Sequence, residues 1–194
     1  LSLQIKNSFL HAIRTGEIVV PFHDAVYMPE LKDTCDFWAV NVYTRQLINS
    51  RKAMFRFDRY EASSIHSLDV PYFSDDICPE VIFHCLNRLK DKPVLITENG
   101  IACKNDKYRV IYIAAVLQAV KQAMDSGVKV LGYLHWSLLD NWEWGTYTPT
   151  FGLASVNHET YERTLKPSGY FYGEIVENNA LTLDIIKKYY SNNI

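Results

Sequence analysis

No excess of positive charge marks this 194-residue chain, in which 20 Lys and Arg stand against 22 Asp and Glu for a net charge of -2. A phosphate backbone would find no broad basic surface, which excludes nucleic acid as a partner. No apolar run approaches the roughly 20 residues that a membrane-crossing helix needs, so no membrane association is expected. The four cysteines, Cys35, Cys78, Cys85 and Cys103, form no C-x-x-C pair. The amphipathic N-terminal stretch does not read as a signal peptide, and together these features predict reduced thiols in a cytoplasmic protein. Six histidines are present, but no H-E-x-x-H pair and no Cys/His cluster at ligand spacing. Neither a metal nor any other cofactor is expected. A starting Met is also lacking, which suggests a processed or truncated chain, or a sequence that is part of a longer one.

What is there is ordinary for a globular protein: 48% hydrophobic and 22% charged residues, and a length that predicts a single domain. Leu3, Phe9, Leu10 and Ile13 recur at helical spacing, with Gly16 placed to end that helix. Residues 36–43, Asp-Phe-Trp-Ala-Val-Asn-Val-Tyr, read as a strand buried on both faces. After a long polar connection dotted with aromatics, Pro79 opens a helix carrying Ile82, Cys85, Leu86 and Leu89. Val94 to Ile96 forms a short strand running into Thr97-Glu98-Asn99-Gly100. Val110, Ile113, Leu117, Val120 and Met124 make a helical stripe closed by Gly127. A third strand spans 128–134, and helices follow from Pro167 through Val176 and from Leu181 to Tyr190, the last with Leu181, Ile185, Ile186 and Tyr189 inward.

Buried strands alternating with amphipathic helices predict an α/β fold with a parallel sheet. In such folds the chemistry collects at the C-terminal strand ends. Three strands ending in Asn41/Tyr43, Glu98 and Trp136 therefore suggest one shared pocket. From position alone, Glu98 reads equally well as a surface-loop residue. Tyr43 reads as a core or rim aromatic, and Asn41 as a polar strand terminator.

Longer phrases shift that balance. Residues 93–102, Pro-Val-Leu-Ile-Thr-Glu-Asn-Gly-Ile-Ala, resemble the nucleophile motif of glycoside hydrolase family 1, the β-glucosidase family. Residues 36–45 resemble the family's sixth-strand signature, and residues 132–144, Gly-Tyr-Leu-His-Trp-Ser-Leu-Leu-Asp-Asn-Trp-Glu-Trp, its eighth-strand and sugar-binding segment. Phe151-Gly152-Leu153, the run from Arg163 to Ser168, and Asp106 with Arg109 extend the likeness over nearly the whole chain.

The resemblance implies that residues 1–194 are the C-terminal portion of one TIM (β/α)8 barrel, about strands six to eight with their helices. It implies a retaining β-glycosidase acting on terminal β-glucosides or β-galactosides, in which Glu98 is the nucleophile. Tyr43 would hold the Glu98 carboxylate through its hydroxyl, and Asn41 would line the site. Trp136, Glu143 and Trp144 would bind the sugar, the rings offering flat apolar surface and the carboxylate accepting from hydroxyls. Read without the family, Trp136 and Trp144 are large core residues, while a carboxylate between two tryptophans needs a hydrogen-bond partner. Glu143 would also repel a phosphate, so neutral rather than 6-phosphorylated glycosides are expected. The remaining histidines and residues 159–163 read as structural or solvated.

One departure from the family pattern is large. No Asn-Glu-Pro segment occurs in the chain, so the family's acid/base Glu is absent from it, as are the early Gln, His and Arg of the sugar site. The expected partner is therefore a complementary N-terminal barrel part, on the same or a separate chain. The alternative is a non-catalytic carbohydrate-binding or scaffolding relative, or an inactive fragment. Smaller departures are Trp38, Ala39, Val42 and Thr150.

Overall fold

A computed structural model of the chain describes residues 2–45 and 77–191. The polar connection expected before Pro79 lies largely outside these residues. Two compact units divide the chain, Leu1–Trp38 and Ala39–Ile194.

In the first unit, helix α1 (Ser2–Thr15) runs to Gly16. Two short strands that the sequence did not announce, β1 (Glu17–Ile18) and β2 (Val26–Tyr27), pair antiparallel, and a 3-10 turn follows at Pro29–Leu31. Ala12 and Ile13 are buried. Phe9, expected on the inward stripe, is instead 70% exposed. The Arg14 guanidinium lies 5.4 Å from the centroid of the Trp38 ring, a cation–π contact.

The second unit holds the sheet. Strand β3 (Trp38–Asn41) starts at the unit boundary, followed by α2 (Val81–Arg88), β4 (Val94–Asn99), α3 (Asp106–Asp125) and β5 (Val130–His135). The order in the three-stranded sheet is β3-β4-β5, and β4 runs parallel to β5. Alternation explains β4: Val94 and Ile96 point into the core with no exposed surface. Ile82 and Leu86, four residues apart on α2, are also fully buried, each worth about 1.5–3 kcal/mol of transfer free energy. The expectation for β4 was too short at its C-terminal end. The strand continues through Thr97, Glu98 and Asn99, because the polar side chains there find partners on neighbouring elements.

Helix α3 begins where Asn105 accepts a hydrogen bond from the Lys107 N–H at 3.1 Å, an N-cap. Val110, Ile113, Val116 and Val120 are buried along it. Leu117, expected on the same stripe, packs partly buried against the core, whereas Met124 is 47% exposed; both line an open groove of about 810 Å³ with residues of α4 (Pro167–Asn178) and the segment leading into α5 (Leu183–Ser191). Val110, Ile113, Leu153, Phe171, Ile175 and Ile185 form the core where α3, α4 and α5 meet. Leu181, Ile186 and Tyr189 pack partly buried against it. Between α3 and α4, β6 (Ala154–Val156) and β7 (Arg163–Leu165) make a short antiparallel hairpin. Its solvated loop carries residues 157–162, where the Asn157 side chain accepts from the N–H groups of Glu159 and Thr160.

Candidate active site

The ends of β3 and β4 are laced together by main chain and side chain. Val42 donates its N–H to the Glu98 carbonyl at 2.9 Å. The Thr97 hydroxyl lies 3.1 Å from the Val40 carbonyl and 2.7 Å from Asn41 Oδ1, so exposed Asn41 is tied to the strand beside it. One residue on, the Tyr43 hydroxyl donates to Glu98 Oε2 at 2.8 Å. The Tyr43 ring meets Phe151 edge to face, with centroids 6.2 Å apart. Burial chiefly, then the bond to Glu98 and the negative charges of Glu98 and Glu143, drive the Tyr43 pKa far above its usual value. The hydroxyl therefore keeps its proton and remains a donor to the carboxylate.

Trp136 follows the end of β5. Its Nε1 donates to Glu143 Oε1 at 2.8 Å, and Trp136 and Tyr43 both pack against Ala102 and Phe151. Glu143 is only 6% exposed, and the indole N–H supplies the partner that a buried carboxylate requires. The Glu143 N–H reaches the Thr146 carbonyl at 2.8 Å, and the Thr146 N–H returns to the Glu143 carbonyl at 3.2 Å. Trp144 and Gly145 close this tight turn with φ of +47° and +109°. Glycine takes that conformation freely, whereas Trp144 adopts it against its side chain. Trp144 is 84% exposed and, unlike Trp136, is not part of the packed floor. Tyr43, Glu98, Trp136 and Glu143 are thus drawn together, Asn41 borders them, and Trp144 stands at the surface.

Main-chain contact sets the spacing between Glu98 and Trp136. Trp136 donates its N–H to the Asn99 carbonyl at 2.8 Å, and a Cβ on Gly100 would stand 1.8 Å from the Trp136 carbonyl oxygen. Only glycine permits that approach.

The sequence reading passed over the polar residues behind the site. Asn99 is 1% exposed. Its Nδ2 donates to the Val42 carbonyl at 2.6 Å and to the Tyr112 hydroxyl at 3.1 Å, and its Oδ1 accepts from Tyr133 at 2.8 Å. Its one signal in the sequence is its place in the Thr-Glu-Asn-Gly run, directly after Glu98. A second buried cluster lies around Arg109, which is fully buried. It bonds Asp106 and the carbonyls of Cys103 and Thr150, while Asp106 accepts from the N–H and hydroxyl of Ser168 at 2.7 and 2.8 Å. The two segments singled out in the sequence, at 106–109 and 163–168, meet in this clamp. Lys166 and the Gly152 N–H both bond Asp140, each at 2.8 Å.

Among the described residues, no three His, Cys, Asp or Glu side chains gather as a metal site would require. None of the described helices is long and apolar enough to cross a membrane.

The family model described as glycosyl hydrolase family 1 matches residues 7–181. A β-galactosidase from Saccharolobus solfataricus is 34% identical over 188 residues, which cover 91% of this chain and 38% of the relative. β-Glucosidase A from Thermotoga maritima is 34% identical over 170 residues, 79% of this chain and 37% of its own. Among solved structures, a β-glycosidase from Pyrococcus horikoshii superposes with a TM-score of 0.79 at 32% identity, covering 97% of this chain and 45% of that one. The chain spans less than half the length of these relatives and matches their C-terminal part, so its fold is a portion of a (β/α)8 barrel. With the family model matched over residues 7–181 and relatives 34% identical over most of its length, the chain belongs to glycosyl hydrolase family 1.

Proposed function

We propose that the chain supplies the nucleophile and part of the sugar site of a retaining β-glycosidase acting on neutral β-glucosides or β-galactosides. The observation that carries this reading is the 2.8 Å bond from Tyr43 to Glu98 beside the Trp136–Glu143 pair. Glu98 attacks the anomeric carbon, forming a glycosyl ester as the bond to the leaving oxygen breaks. That oxygen takes a proton from an acid/base carboxyl on a complementary N-terminal barrel part, in the same or another polypeptide. Water then attacks the anomeric carbon, its proton returns to the acid/base group, and Glu98 leaves as carboxylate with the anomeric configuration retained. Tyr43 holds the carboxylate, Trp136 offers its face to the ring, and Glu143 and Asn41 accept from or donate to sugar hydroxyls. Trp144, at the surface, makes a further contact. No cofactor takes part. The four unpaired cysteines suit a cytoplasmic setting.

The test is covalent trapping with a 2-deoxy-2-fluoro-β-glucosyl fluoride, whose leaving group needs little acid assistance. Mass spectrometry should find the added sugar on the peptide holding Glu98. A label on another carboxylate would sink the assignment.

A second reading, a carbohydrate-binding or scaffolding relative or an inactive fragment, draws on the absence of any Asn-Glu-Pro segment from the sequence. Calorimetric glucose binding by the polypeptide that carries these residues, with no trapping and no hydrolysis, would favour it.

A further inference from the structure

The hydroxyl of Tyr43 can hold Glu98 only if its main chain stays in place, and that main chain lies at the end of β3 rather than within it. Two buried side chains reach it. Asn99, next to Glu98 on β4, donates to the carbonyl of Val42 at 2.6 Å. Tyr112, on α3, receives the other Nδ2 proton of Asn99 at 3.1 Å and donates its own hydroxyl to the carbonyl of Tyr43 at 3.2 Å. The remaining acceptor, Asn99 Oδ1, is filled by Tyr133 from β5 at 2.8 Å, and Tyr172 on α4 donates to the Tyr133 carbonyl at 3.0 Å. Both amide protons and one oxygen of Asn99 are thus used, so its orientation admits no alternative without losing bonds. Burial keeps Tyr133 protonated and a donor. A hydrogen-bonded chain in a water-poor interior holds its members in one arrangement.

We infer that Asn99 and Tyr112 are the positioning residues of the Tyr43–Glu98 pair, fixing consecutive carbonyls at positions 42 and 43 so that the Tyr43 hydroxyl meets the carboxylate. Neither side chain touches substrate. Their effect passes through Tyr43, and the inference rests on the proposed role of Glu98 as nucleophile.

The experiment measures covalent trapping by 2-deoxy-2-fluoro-β-glucosyl fluoride in the polypeptide that carries these 194 residues, comparing wild type with Tyr112→Phe, Tyr43→Phe and the double variant. Losing the bond from Tyr112 should slow trapping about three- to tenfold while the inactivator's dissociation constant stays within about twofold of the parent. In the Tyr43→Phe background, Tyr112→Phe should add little, because both changes act on one interaction. Asn99→Asp, which removes both amide donors, should slow trapping more than Tyr112→Phe; if it fails to fold by circular dichroism, the Tyr112 cycle decides alone. Wild-type trapping speed in Tyr112→Phe, or effects that multiply in the double variant, would overturn the inference while leaving Glu98 as nucleophile. No label on Glu98 in the wild type would instead remove the nucleophile assignment, and the inference with it.

Discussion

The hydroxyl of Tyr43 lies 2.8 Å from Oε2 of Glu98, although 55 residues separate the two in the chain. A phenol whose pKa is driven up by burial and by two nearby carboxylates keeps its proton at neutral pH and donates it to the Glu98 carboxylate in a hydrogen bond. Tyr43→Phe removes that donor and leaves the ring packed on Phe151. The lost charge-assisted bond, about 1.5–3 kcal/mol, corresponds to a fall in kcat of roughly ten- to a hundredfold. Steady-state kinetics on an aryl β-glucoside should show most of the loss in kcat rather than KM. Unchanged kcat would remove Tyr43 from the machinery.

Trp144 occupies left-handed backbone while 84% exposed. Such a conformation costs a bulky residue about 1–3 kcal/mol, and asparagine tolerates it better. Trp144→Asn should therefore raise stability to urea by about 1 kcal/mol and at the same time weaken sugar binding measured by calorimetry. Improved stability with unaltered affinity would make Trp144 a surface residue with no part in recognition.

His135 carries a prediction about pH. Burial, reinforced by the positive charges of Arg109 and Lys166, lowers its pKa to about 3 in the fold, whereas the unfolded chain takes up a proton near 6.5. Its contribution is complete above pH 6.5 and is lost as the pH falls toward 3, at up to about 1.4 kcal/mol per unit. Urea melts between pH 7 and 5 should reveal declining stability, and His135→Phe should flatten the decline. An equally steep profile in the variant would assign the dependence to other groups.

The Arg109 clamp carries a stability prediction. Asp106→Ala leaves a fully buried guanidinium without its counter-ion, a loss of about 3–5 kcal/mol. Adding Arg109→Met in the same chain should recover part of it, since the orphaned charge is then gone. Chemical denaturation of the single and double variants checks the order.

The sugar contact proposed for Glu143 carries a prediction about substrate. A buried carboxylate at this position repels a phosphate, so neutral glucosides should turn over faster than 6-phosphorylated ones, and Glu143→Ser should narrow the ratio. Faster hydrolysis of the phosphorylated sugar by the parent would contradict the assignment.

Most of the frame was legible because it depends on period and punctuation. The helices at 106–125 and 167–178 announce themselves through apolar spacing and through the proline that opens the second. The expectation for Glu98 came only from the long phrase around it; taken singly it was as good a loop residue as a site residue. What stayed hidden has a common physical cause. Asn99, Tyr112 and Tyr133 act by bonding to one another and to main-chain carbonyls across three elements, and no spacing along one segment encodes partners on another. The same holds for Phe9 and Met124, apolar by type and helical by position, yet exposed here. Strands as short as β1 and β2 carry too few residues for alternation to register.

Gly100 leads to a different kind of conclusion. Because a methyl group there would fall 1.8 Å from the Trp136 carbonyl oxygen, the gap between the carboxylate-bearing strand and the tryptophan-bearing one is gauged by two peptide backbones in contact. A gauge made of main chain does not wear as side chains around it are exchanged. The surrounding core can therefore drift in sequence without altering the distance between the strand that carries Glu98 and the one that leads to Trp136, provided that one position never acquires a side chain.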